Sequence, residues 1–186
     1  TATGYAEIAS TPPFLTFLGP SIPVWAIQGS GDKSPYTRSE ATTEGLVTAV
    51  FPELNGFWIL GEPDQSETTS DGLFILVDDF DIPVSVGDQV QVTGRVRELS
   101  GQTALDPVQE SDILVLASGL DAPEPLPYNP PADPAEALLY NESREGMLVT
   151  LAEPSLVAAA TTRFGEYALI AQSYNATSVA RTEAVG

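Results

Sequence analysis

GLVTAVF (Gly45–Phe51), GFWIL (Gly56–Leu60), DGLFILV (Asp71–Val77), VGD (Val86–Asp88) and QVQVTGRV (Gln89–Val96) follow one another along the middle of a 186-residue chain. In the first run Val47, Ala49 and Phe51 alternate with Thr48 and Val50. In the last, Val90, Val92, Gly94 and Val96 alternate with Gln89, Gln91, Thr93, Arg95 and Arg97. A period of two places one set of side chains in a core and the other on a wetter face, which is the pattern of a β-strand. Gly56, Gly72 and Gly87-Asp88 stand where the chain has to reverse. About five short strands punctuated in this way predict a small closed barrel over residues 23–117, of the oligonucleotide/oligosaccharide-binding (OB) kind.

Longer blocks support the same reading. IQGSG (Ile27–Gly31), TEGLVTAVF (Thr43–Phe51), SDGLFI (Ser70–Ile75), VGDQVQVTGRVRE (Val86–Glu98) and GQTAL (Gly101–Leu105) occur in that order. Together with REGMLVTLAEP (Arg144–Pro154) and RFGEYAL (Arg163–Leu169), they resemble the OB-fold-like region ahead of the catalytic domain in large secreted bacterial nucleases of the endonuclease/exonuclease/phosphatase superfamily. The resemblance implies a secreted, extracellular, non-catalytic module. The family's metal-dependent phosphodiesterase chemistry belongs to a downstream domain that nothing in these 186 residues matches.

Composition narrows the chemistry. The chain has 7 basic and 26 acidic residues, a net charge of -19, and 42% hydrophobic residues. The hydrophobic content supports a true core. The charge argues against direct nucleic-acid binding, because a phosphate backbone needs clustered Lys and Arg. Lys33, Arg38, Arg95, Arg97, Arg144, Arg163 and Arg181 are the basic residues, dispersed along the sequence. Without Cys or His, this chain has no thiol or imidazole for catalysis and no ligand set for a structural zinc site. Metal-assisted hydrolysis also needs converging carboxylates and a general base, so no residue is assigned a catalytic role. No apolar run is long enough to span a bilayer. The chain begins at Thr1, which reads as a processed, mature terminus.

Acidic residues suggest a cation instead. Asp78, Asp79 and Asp81 crowd around Phe80, and carboxylates so close repel one another unless a cation or water separates them. They are the candidate Ca²⁺ ligands. The loop GEPDQSETTSD (Gly61–Asp71) carries Glu62, Asp64, Glu67 and Asp71 without EF-hand spacing, and reads first as a solvated connection. Among the aromatics, Phe57 and Trp58 should point to opposite faces of one strand. One belongs to the core, and the other is exposed or covered by the N-terminal arm.

The flanks complete the plan. Residues 1–22 form an extended arm containing PFLTFLG (Pro13–Gly19), packed on its own domain or on a neighbouring subunit. PVWAIQGSG (Pro23–Gly31) reads as a leading strand and a glycine-rich turn. Residues 118–143 form a stiff proline-rich connector, with one short helix over Pro134–Asn141 capped by Asp133. Residues 144–186 form a smaller β-rich segment with about three strands, too few for a self-sufficient module. It either packs on the barrel, begins a longer module, or is completed by a strand from another subunit. Asn141 and Asn175 sit in N-glycosylation patterns.

Taken together, these features predict an all-β protein that self-associates as a structural subunit of an extracellular assembly or filament, with Ca²⁺ at its junctions. The alternative is an accessory, substrate-positioning or spacer region of a secreted nuclease.

Overall fold

The computed structural model describes residues 20–161 and 169–171. It is all-β and OB-like: β1 (Glu40–Phe51), β2 (Gly56–Leu60), β3 (Gly72–Leu76), β4 (Gln89–Leu99) and β5 (Gln102–Asp106) run in the order β1-β2-β3-β5-β4, and β4 returns to β1 to close the barrel. The β3–β5 pairing is parallel and the others are antiparallel. β6 (Ile113–Ala117) adds to β4 beyond the end of β5.

The alternation in β4 is realised: Val90, Val92 and Val96 are wholly buried, while Arg95 and Arg97 face water. They meet Phe57, Ile59, Leu73, Ile75 and Leu105 in one core. Each such side chain contributes about 1.5–3 kcal/mol by leaving water.

The alternation in β1 does not hold to its end. Val47 pairs with Ile59, but Trp58 is opposed by Ala49, which leaves Thr48 as an extra, bulged residue. A bulge shifts the side-chain phase by one position. Val50 therefore turns toward the core and Phe51 turns outward, the reverse of the simple period-two reading.

PVWAIQ is not a strand. Val24–Gln28 forms a short helix, α1, starting after Pro23 and ending at Gly29, whose φ of 73° turns the chain out of the helix. The spacing of Val24 and Ile27, three apart, was the available signal, since both reach the barrel core from one helical face.

Beyond the barrel come β7 (Leu126–Tyr128), α2 (Pro134–Glu142), β8 (Val149–Leu151), β9 (Ser155–Val157) and β10 (Leu169–Ala171). Asp133 caps α2, its Oδ1 accepting from the N–H groups of Ala135 and Glu136 at 2.9 and 3.0 Å. The proline-rich stretch is not purely a spacer: β7 within it pairs in parallel with β8. β9 and β10 form a second, antiparallel pair. The N-terminal arm up to residue 19 lies outside the described residues, as does Asn175. Among the described residues, no helix is long and apolar enough to cross a membrane.

Candidate functional site

The outer face of β2 and β3 is the surface on which OB barrels take ligands. Here it carries Trp58 and Phe74, directly paired across the strands, with ring centroids 4.6 Å apart. Phe57 is the core partner of the Phe57-Trp58 pair, and Trp58 is the outward one. The bulge at Thr48 brings Phe51 to the same face, edge-on to Trp58 at 5.3 Å. Leu76, Leu99 and Ala104 complete a small apolar cluster outside the barrel.

This face is covered by the chain itself, in the segment that follows α2. Trp58, Gly146, Met147 and Leu148 line one shallow hollow with Phe51. The contact at the edge of β3 is close: a Cβ built on Gly72 would collide with the backbone carbonyl of Gly146. Polar bonds hold the segment down. Ser70 Oγ donates to the Glu145 carbonyl at 2.6 Å, and Thr103 N–H donates to Glu145 Oε1 at 2.8 Å. Gln28 Nε2 donates to the Gly72 carbonyl at 2.5 Å and to Glu145 Oε1 at 3.3 Å. Glu145 thus clasps α1, β3 and β5 together. Burial pushes its carboxyl above the ordinary carboxylate range; the bonds from Thr103 and Gln28 oppose this, and the charges of Glu142 and Glu98 add to it.

Beside the clasp lies a cleft of about 350 Å³, between the Glu62–Asp71 loop and the Pro123–Leu126 stretch. Leu60, Leu126, Met147 and Leu148 supply apolar wall, and Arg144 stands at its edge. The Arg144 guanidinium lies 3.8 Å from the Tyr140 ring centroid, and Nη1 donates to Ser143 Oγ at 2.6 Å. Asp71 also lines the cleft, its carboxyl raised chiefly by burial.

The acidic residues singled out in the sequence divide. Asp64 is used within its own loop, accepting from Ser66 N–H at 2.8 Å and Thr69 Oγ1 at 2.9 Å. Asp78, Asp79 and Asp81 are exposed, on a turn anchored by Phe80 and Ile82 against the core. Asp78 accepts a long bond from Asn55 Nδ2 at 3.5 Å. Among the described residues, no three carboxylates are gathered as a metal-ion ligand set. Asn141 is exposed on α2, its Oδ1 accepting from Tyr128 OH at 2.7 Å.

The sequence reading missed a basic cluster. Arg38, Arg95 and Arg97, dispersed in the sequence, line one open hollow of about 460 Å³ with Thr37, Glu98 and Asp106. Arg95 and Arg97 share the outward face of β4 by their i, i+2 spacing, a signal present in the sequence. Arg38 joins them only because the start of β1 folds back against Val96.

The fold places the chain among OB-like barrel proteins. No protein-family model and no curated protein matches its sequence.

Proposed function

We propose that this chain is a non-catalytic, secreted β-module that self-associates as a structural subunit of an extracellular assembly. The observation that carries the reading is where the core stops. Among residues 114–161 and Leu169, Ser143 alone is buried, and no apolar side chain is. Yet this part of the chain is folded into β7, β8, β9, β10 and α2, and it is rich in apolar residues. Leu138 and Leu139 on α2 are 60% and 65% exposed, and Val149, Leu151, Leu156 and Val157 are exposed on their strands.

Two-stranded sheets bury too little to be stable by themselves, and exposed apolar strand edges invite pairing with another chain. A second copy that covers these elements would supply the missing burial. Head-to-tail repetition of such a contact builds a filament, and a two-fold version builds a closed dimer. Secretion and the non-catalytic character are proposed from the resemblance of those sequence blocks to the secreted nucleases.

The test is the mass of the native particle, by light scattering and electron microscopy, with Ca²⁺ and then with chelator. Oligomers or polymers are expected, and their loss on chelation would place Ca²⁺ at the junctions. A clean monomer in both conditions would overturn the proposal. A second reading, the accessory region of a secreted nuclease, draws on the resemblance to those enzymes; it predicts a monomer in that experiment.

A further inference from the structure

We infer that the hollow formed by Arg38, Arg95 and Arg97 receives the exposed Asp78–Asp81 turn of a second copy of this chain, and so sets which surfaces of neighbouring copies meet. The inference rests on the self-association proposed above and deepens it.

The hollow is unusual for this molecule. Five basic residues lie in the described part of a chain with a net charge of -19, and three of the five line this one surface. Among the described residues the one ion pair is Arg97 with Asp106, at 2.6 Å, leaving Arg38 and Arg95 facing solvent without one. Arg38 is also held in a costly conformation. Its φ is 71°, a left-handed value that non-glycine residues seldom adopt. Reciprocal backbone bonds enforce it: Arg38 N–H to the Val96 carbonyl at 2.8 Å, and Val96 N–H to the Ser39 carbonyl at 2.9 Å. Those bonds clamp Arg38 to β4 on the very strand that carries the other two arginines.

Charge identifies the complement. Guanidinium forks match carboxylates, two parallel N–H donors to two oxygens. The Asp78–Asp81 turn presents three carboxylates, none of them ion-paired among the described residues. A nucleic-acid strand fits less well. Its backbone needs a continuous basic track, whereas this hollow is short and shares its lining with Glu98 and Asp106. Two copies of like net charge repel at long range, but salt screens that repulsion beyond about 8 Å and leaves the contact pairs in force. Because the hollow and the turn are different surfaces, the contact either repeats head to tail from copy to copy or is made twice, reciprocally, about a two-fold axis.

The experiment uses complementary charge reversals in the full chain: Arg38→Glu with Arg95→Glu in one variant, and Asp78→Arg with Asp79→Arg and Asp81→Arg in the other. Circular dichroism melts confirm that each is folded, as expected for changes at exposed positions. Each variant alone should associate about tenfold more weakly than the unchanged chain, and an equimolar mixture of the two should restore assembly. If the unchanged chain assembles but the arginine variant assembles equally well, this contact is wrong while self-association stands. If the mixture of folded variants fails to assemble, the pairing of hollow and turn is likewise wrong. A short single-stranded oligonucleotide that binds the unchanged chain and not the arginine variant, with particle mass unaltered, would overturn the inference in favour of a phosphate ligand. An unchanged chain that stays monomeric sinks both proposals together.

Discussion

Phe51 meets Trp58 edge-on, with ring centroids 5.3 Å apart and planes at 88°, although a simple alternation along β1 would put Phe51 inside the barrel. The bulged residue Thr48 is what turns it outward. The contact joins the end of β1 to the outer face of β2, and Trp58 passes it on to Phe74 and to the segment around Gly146.

Replacing Trp58 with alanine should therefore cost more than replacing Phe51. Trp58 sits at the centre of the outer cluster, and Trp58→Ala should destabilise the fold by about 2–4 kcal/mol. Phe51 is half exposed and has one aromatic partner, so Phe51→Ala should cost about 0.5–1.5 kcal/mol. Urea unfolding curves of the two variants check the order; equal losses would mean that the outer cluster is not a packing unit.

Gly72→Ala tests how the segment after α2 is seated. The added methyl would meet backbone atoms of Gly146 and Met147 rather than a flexible side chain. The barrel can keep its core while residues 143–148 lift away, at a cost of about 1–3 kcal/mol. Limited proteolysis and hydrogen exchange should show new exposure confined to that segment and to Trp58. Loss of the whole barrel would show instead that this segment and the barrel fold as one unit.

Glu145 predicts the direction of a pH effect. Burial, ahead of the charges of Glu142 and Glu98, raises its folded-state pKa above the ordinary 4.5. The folded chain then keeps a proton that the unfolded chain releases. The stabilisation from this group is full below about pH 4.5 and is lost as pH rises through the folded value. Glu145→Gln removes that share, so the fall in melting temperature from mild acid to neutral should be shallower in the variant. Parallel profiles would show that Glu145 is not the titrating group; Asp71, raised by burial as well, would be the next to replace.

Ending the chain after Leu148 separates stability from assembly. None of residues 149–161, nor Leu169, is buried, so the barrel's melting temperature should shift by only a degree or two. The particle should fall to a smaller mass, because the exposed strands that call for a partner are gone. Full-size particles from the shortened chain would show that assembly does not use β8, β9 or β10.

Much of the barrel could be read from residue order. The alternation of Val90, Val92 and Val96, the split of Phe57 from Trp58, and Asp133 as the cap of α2 are consequences of local geometry, and all three are present in the structure. Two local readings were displaced. The helix at Val24–Gln28 was masked by its two β-branched residues, Val24 and Ile27, and by its brevity. The bulge at Thr48 has no composition signal, since it answers the register that β1 must keep with β2. The arginine hollow divides the same way: Arg95 and Arg97 are two apart on one strand, while Arg38 is brought to them from far away in sequence.

From its order of residues alone, the chain commits to alternating strands, tight turns, one capped helix, a strongly acidic charge, and chemistry without thiol or imidazole. Those properties depend on neighbours a few residues apart and on simple totals. Tertiary structure decided the rest: which way Phe51 faces, what covers Trp58, that Glu145 is half-buried in a clasp, and that three arginines share a surface. Each depends on backbone segments far apart in sequence approaching within a few ångströms, and closing the barrel sets those approaches through strand register, which no local pattern encodes.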